Sequence, residues 1–171
     1  MNRQREPKRA RFRGWLRLLI RIALLAAVCF LLLTQVFMLT RVHGQGMFPA
    51  LKDGDLAIGF RLNKDALSKK DVIVYRVEGM QYFGRIVARG NDVVEITANG
   101  TLIVNGTPQR EEIVYPTEGG AVLEYPYRVP QDSVFVLGDF RTNTVDSRDF
   151  GAIPKESIEA RIITILRRRG L

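Results

Sequence analysis

Residues Val93-Val94-Glu95-Ile96-Thr97-Ala98-Asn99-Gly100-Thr101-Leu102-Ile103-Val104-Asn105-Gly106 form two short β-branched runs, each followed by Asn-Gly. Branching at Cβ suits a pleated surface, and Asn and Gly tolerate the positive φ angles of tight hairpin turns, so the stretch predicts a hairpin or meander. The pattern continues on both sides. Leu56–Ile58, Asp71–Val77 and Arg85–Arg89 before it, and Ser133–Leu137 after it, also read as strands. Many short strands separated by turn residues predict a mainly β domain of barrel or sandwich type. Helix is signalled only weakly, around Lys155–Ile158. Gln109–Pro130, interrupted by Pro116, Gly119, Gly120 and Pro126, reads as a long surface excursion.

The chain of 171 residues has room for one such domain and an appendage. The appendage is Ile22–Thr40, a run without a charged residue. About 20 apolar residues suffice for a helix to cross a bilayer, and a helix apolar on every side offers water no face. Arg17 and Arg21 can snorkel to an interface beside Trp15. The end of the run, Phe37–Val42, offers no small-x-small cleavage site, so an uncleaved anchor is expected.

The net charge of +8 is concentrated in residues 1–21, which hold eight of the 26 basic residues (Arg3, Arg5, Lys8, Arg9, Arg11, Arg13, Arg17 and Arg21) and only Glu6 of the 18 acidic ones. Basic charge preceding a membrane segment predicts a cytoplasmic N-terminus attracted to membrane lipid, with residues 43–171 outside, and argues against a nucleic-acid partner. Cys29 is the sole cysteine and His43 the sole histidine, which excludes an internal disulfide and a Cys/His zinc cluster. No metal and no cofactor is expected. Asn99-Gly100-Thr101 and Asn105-Gly106-Thr107 match the glycosylation pattern, but their place in turns accounts for them.

Three further blocks arrive in order behind the apolar run: Gly44-Gln45-Gly46-Met47-Phe48-Pro49-Ala50-Leu51, then Gly84-Arg85-Ile86-Val87-Ala88-Arg89-Gly90-Asn91-Asp92, then Gly138-Asp139-Phe140-Arg141-Thr142-Asn143-Thr144-Val145-Asp146-Ser147-Arg148. They resemble the type I signal peptidase motifs Ser-Met-x-Pro-Thr-Leu, Lys-Arg-Val-Ile-Gly-x-Pro-Gly-Asp and Gly-Asp-Asn-Arg-x-x-Ser-x-Asp-Ser-Arg. The resemblance implies the minimal signal peptidase β domain on one N-terminal transmembrane helix. It places Gly46 at the serine nucleophile and Gly84 at the lysine general base. It also places Thr144 at the serine that holds that lysine, and Asp146 and Arg148 at a structural ion pair. Phe140 stands where the motif has asparagine.

A glycine has neither a hydroxyl to be acylated nor an amine to take a proton, and members of a catalytic unit fail together. A displaced site finds little support in the sequence. Ser68-Lys69-Lys70 and Lys52-Asp53-Gly54-Asp55 read as polar turns, where a solvated lysine stays protonated. The resemblance also implies a peptide groove walled by Val42–Met47 and Gln81–Arg85, with Gly44, Gln45, Gly46, Met47, Gln81, Tyr82, Phe83 and Gly84 as peptide-binding residues. Strand addition in such a groove does not need a nucleophile. Loss of two side chains is expected to widen its floor, and Met47, Phe48 and Pro49 to form an apolar rim. In lacking the serine and the lysine, the chain resembles the signal-peptidase-like factors of Gram-positive pilus assembly, which implies exported proteins, pilins and a sortase as partners. The alternative is an active signal peptidase with a rearranged site.

Overall fold

The computed structural model describes residues 8–61, 64–109, 116–120 and 122–167, with side chains from Gly14 onward. Arg3, Arg5 and Glu6 lie outside the described residues, as do the side chains of Lys8 to Arg13. The described chain divides into two units, a helix up to Val36 and a β domain from Phe37.

The first unit is α1 (Lys8–Val36). Its segment Gly14–Val36 is long and apolar enough to cross a membrane, and none of it is buried within the protein. The second unit contains β1 (Phe37–Arg41), β2 (Leu56–Phe60), β3 (Val72–Val77), β4 (Met80–Arg89), β5 (Val93–Ile96), β6 (Leu102–Val104), β7 (Thr107–Pro108), β8 (Tyr127–Arg128), β9 (Ser133–Leu137), a short α2 (Ser147–Phe150), β10 (Ile153–Pro154) and β11 (Ile158–Leu166). Seven strands form one antiparallel sheet in the order β1-β2-β11-β3-β4-β9-β10, and β7-β6-β5-β8 form a second. The domain is therefore mainly β, behind one N-terminal apolar helix.

Alternation along the strands supplies buried clusters on both faces of the larger sheet. Met38, Val42, Met47, Leu51, Ala57, Val74, Phe83 and Ala160 make one cluster, and Ile73, Tyr75, Ile86, Val134, Val136 and Ile158 belong to another. A third, including Val87, Val94, Val104, Phe135 and Leu137, draws on strands of both sheets.

Three elements differ from the sequence expectation. The helix ends at Val36, and Phe37–Arg41 is a strand paired with β2 from Phe37↔Phe60 to Arg41↔Leu56. The weak helical signal at residues 155–158 is a single 3-10 turn, Lys155–Ser157, leading into β11, the second longest strand. Gln109–Pro130 is not a simple surface excursion where it is described. Thr117 is buried, Tyr127–Arg128 pairs with β5, and Leu123, Tyr125 and Tyr127 pack on the third cluster. Residues 110–115 and 121 lie outside the described residues.

Candidate functional site

The groove follows from an unfinished strand. β4 pairs with β3 along Met80–Arg85, but its pairing with β9 begins only at Arg85↔Leu137, so the other edge of Met80–Gly84 has no strand partner among the described residues. Opposite lies the segment after β1, held on its far side by Val42 N–H donating to the Asp55 carbonyl (2.8 Å) and Gly54 N–H donating to the Val42 carbonyl (2.9 Å). Gly44, at φ +79°, donates its N–H to Asp53 Oδ1 (2.9 Å). Between these segments is a groove of about 400 Å³ lined by Val42, His43, Gly44, Gly46, Met47, Gln81, Tyr82, Phe83 and Thr142–Val145. Gln45 and Gly84 are absent from this lining; His43 belongs to the expected wall Val42–Met47 and Thr144 to the expected support of the site, while Thr142, Asn143 and Val145 join it without having been expected from the sequence. A distant-block residue such as Val145 carries no signal of its own that would select it.

The third sequence block closes the groove and pins Gly46. Phe140 N–H donates to the Gly46 carbonyl (2.9 Å). The Phe140 ring tilts against Phe48 with centroids 6.3 Å apart, so the aromatic ring at the motif's asparagine position gains a packing partner. Phe48 is partly exposed, but Met47 is buried in the first cluster and adds nothing to an apolar rim.

Behind the groove, Asp146 is fully buried and accepts Arg148 Nε at Oδ1 (2.9 Å) and Nη2 at Oδ2 (3.0 Å). Its two oxygens also accept the N–H groups of Arg148 and Gly138, both at 3.0 Å, and a capping box with Asp149 starts α2 there. Arg148 ties in the strands' return loop through the carbonyls of Arg141 (2.7 Å) and Glu118 (3.0 Å). A charge pair this deeply buried is tolerable because every face of it is hydrogen-bonded. A second such pair, not evident in the sequence, joins β4 to the third block: Arg85 donates through Nε and Nη2 to buried Asp139 at 2.8 and 2.6 Å.

The two glycines do not widen the floor. A Cβ on Gly46 would lie 2.7 Å from Thr144 Oγ1, so that hydroxyl occupies the space a serine side chain would enter. A Cβ on Gly84 would overlap Val136 Cγ1 and lie 3.4 Å from the Tyr75 ring. Gly84 thus faces the second cluster, and the start of a lysine's path is filled by Val136 and Tyr75. The Tyr75 hydroxyl is buried without a hydrogen-bond partner among the described residues; desolvation, reinforced by nearby Asp146, raises its pKa and makes it no substitute base.

The displaced candidates are also accounted for. Lys69 pairs with Asp92 at 3.0 Å, and Ser68 N–H donates to Asp71 Oδ2 in a turn. Asp55 accepts Arg167 Nη2 at 2.6 Å, and this bond holds its carboxyl below the usual range. Arg167 also donates to the Ala50 carbonyl (3.1 Å), fastening the Gly46–Leu51 segment to the end of β11. No group of three metal-ligating side chains occurs among the described residues.

The chain thus combines one N-terminal apolar helix with a mainly β domain that holds a strand-lined groove, backed by the buried Asp146–Arg148 pair. The family model for signal peptidase, peptidase S26, matches residues 13–166, and the chain belongs to that family. It is 29% identical over 153 residues to signal peptidase I of Bacillus caldolyticus, covering 80% of this chain and 84% of that one. Signal peptidase IB of Staphylococcus aureus strain N315 is 30% identical over 164 residues, covering 82% and 84%. A crystal structure of a signal peptidase I from Enterococcus faecalis V583 aligns at 27% identity with a TM-score of 0.48, over 57% of this chain and 97% of that one.

Proposed function

We propose that this chain is a membrane-anchored signal peptidase homologue that binds extended segments of exported proteins without cleaving them. Its N-terminus is cytoplasmic and its β domain lies outside, where it acts as a binding protein or chaperone. Pilins and the sortase that joins them are the partners this reading favours. The observation that carries it is an unpaired strand edge at Met80–Gly84, open among the described residues to a peptide strand, in a groove bordered by Gly46 where the motif has serine, with Gly84, turned to the core, where it has lysine. Binding by strand addition needs backbone N–H and C=O groups, whereas acyl transfer needs a hydroxyl and a neutral base.

The test is binding of a fluorescent signal-peptide segment to the full chain in detergent, followed by anisotropy, with the peptide recovered and weighed by mass spectrometry. Saturable binding of an intact peptide is expected. Val145→Trp, at a half-exposed position on the groove wall, should weaken it at least tenfold without altering the thermal transition. A cleaved peptide, or binding indifferent to Val145→Trp, contradicts the proposal.

A further inference from the structure

Strand addition at the open edge of β4 does not by itself fix the register of a bound peptide. The backbone groups of Met80–Gly84 that face the groove repeat every second residue, so a peptide slipped by two residues makes an equivalent ladder. Register must come from a group that does not repeat.

Several polar groups of the groove are already committed. Gln81 accepts Thr40 Oγ1 at its Oε1 (2.9 Å) and donates through Nε2 to Glu159 (2.7 Å), while the Gly44 N–H is held by Asp53 (2.9 Å). His43, Thr142 and Asn143 are exposed, so water competes for their hydrogen bonds. Thr144 differs from all of these. It is half-buried, lines the groove, and its hydroxyl makes no hydrogen bond among the described residues. That hydroxyl is nevertheless reachable, because the buried side-chain polar atoms left without a partner among the described residues are those of Tyr75 and Tyr125.

Two glycines make room for it. Thr144 Oγ1 lies 2.7 Å from the position a Cβ on Gly46 would take, and a Cβ on Gly138 would overlap it. The hydroxyl therefore stands at the place in the groove where the motif has serine, although the third block supplies it. A hydroxyl donates one hydrogen bond, and a peptide carbonyl passing Gly46 is the acceptor that strand addition brings to it.

We infer that Thr144 is a positioning residue for bound peptide: its hydroxyl donates to a single peptide carbonyl beside Gly46 and fixes the register of the added strand. The inference rests on the groove holding peptide by strand addition, and it gives Thr144 no part in bond cleavage.

The experiment uses the full chain in detergent with Cys29→Ser/Met80→Cys, which leaves one cysteine, at the open edge of β4. Copies of one signal-peptide segment, each with a single cysteine at a different position, are equilibrated with it in glutathione buffer, and the captured positions are read by mass spectrometry. Affinity for the cysteine-free fluorescent peptide is measured alongside by anisotropy. Expected is capture centred on one peptide position. Thr144→Val, which exchanges the hydroxyl for a methyl group and keeps the branching, should spread capture to positions two residues away and raise Kd about fivefold, the size of one net hydrogen bond. Thr144→Ser should keep the single position and stay within about twofold in Kd. Gly46→Ala, whose Cβ displaces the hydroxyl while Thr144 is kept, should reproduce the spread even if Thr144→Val fails to fold. Capture at one position in both Thr144→Val and Gly46→Ala overturns the inference even where affinity falls, as does spread capture before either substitution or in Thr144→Ser. In those outcomes peptide is still bound and the groove reading stands. Absence of saturable binding before any substitution at Thr144 or Gly46 overturns the groove reading and this inference with it.

Discussion

At the residue scale, the two glycines differ in the room their surroundings leave for a side chain. Gly46 borders the groove, and the obstacle to a side chain there is one hydroxyl, Thr144 Oγ1, which a rotation can move. Gly84 points into packed core, where Val136 and Tyr75 occupy the lysine's path. Overpacking of this kind costs roughly 1–3 kcal/mol. Gly84→Lys is therefore expected to lower the urea midpoint by about that free energy, and Val136→Ala to recover part of it. By the same reasoning Gly46→Ser with Gly84→Lys stays silent towards a fluorogenic signal peptide, and only the triple variant with Val136→Ala has room for a base. A stable, cleaving double variant would show that the core gives way more easily than its packing implies. The motif resemblance places a serine at Gly46 and a lysine at Gly84, but the packing around Gly84 is not legible in the sequence, because Val136 and Tyr75 are distant in sequence and ordinary strand residues in themselves.

At the scale of elements, ion pairs connect the third block and the end of β11 to the groove. Replacing Asp146 by Ala leaves the Arg148 guanidinium buried without its carboxylate, a loss of about 3–5 kcal/mol by analogy with other broken buried pairs. Calorimetry should show a large fall in Tm, whereas Phe140→Leu, which keeps an apolar contact with Phe48, should cost little. The Asp55–Arg167 pair makes a pH-dependent contribution. Because Arg167 lowers the folded-state pKa of Asp55, the contribution is present above the unfolded value of about 3.9 and is lost as pH falls through the folded value. Amide exchange in residues 46–51 should therefore accelerate below about pH 4, and Arg167→Gln should remove that acid-dependent step. Strands with clean β-branched runs, such as Ser133–Leu137, are readable from sequence with their bounds intact. β1 is hidden because its apolar residues continue the apolar run of the helix. β11 is hidden because a bulge breaks its alternation between Ile162 and Thr164 and a Lys-Glu-Ser prelude suggests helix.

At the scale of the whole molecule, the boundary between the units falls at Val36/Phe37, within what the sequence presents as one apolar run. This has a direct consequence for the isolated β domain. A chain beginning at Phe37 retains β1, with Met38 in the first core cluster and five paired positions on β2. A chain beginning at His43 loses them and bares the edge of β2, which invites aggregation. Circular dichroism should find a cooperative thermal transition for residues 37–171 and a lower midpoint, with precipitation, for residues 43–171; identical melting would mean that β1 contributes nothing to the domain. The central claim is that this member of the signal peptidase family holds peptide without cutting it. Its most direct test is a single-turnover time course, with the purified full chain in excess over a doubly labelled signal-peptide substrate and the substrate followed by mass spectrometry. The account predicts that the substrate remains intact over hours while bound. Scission at the signal-peptide site, at a rate comparable with signal peptidase I of Bacillus caldolyticus measured alongside, would contradict it.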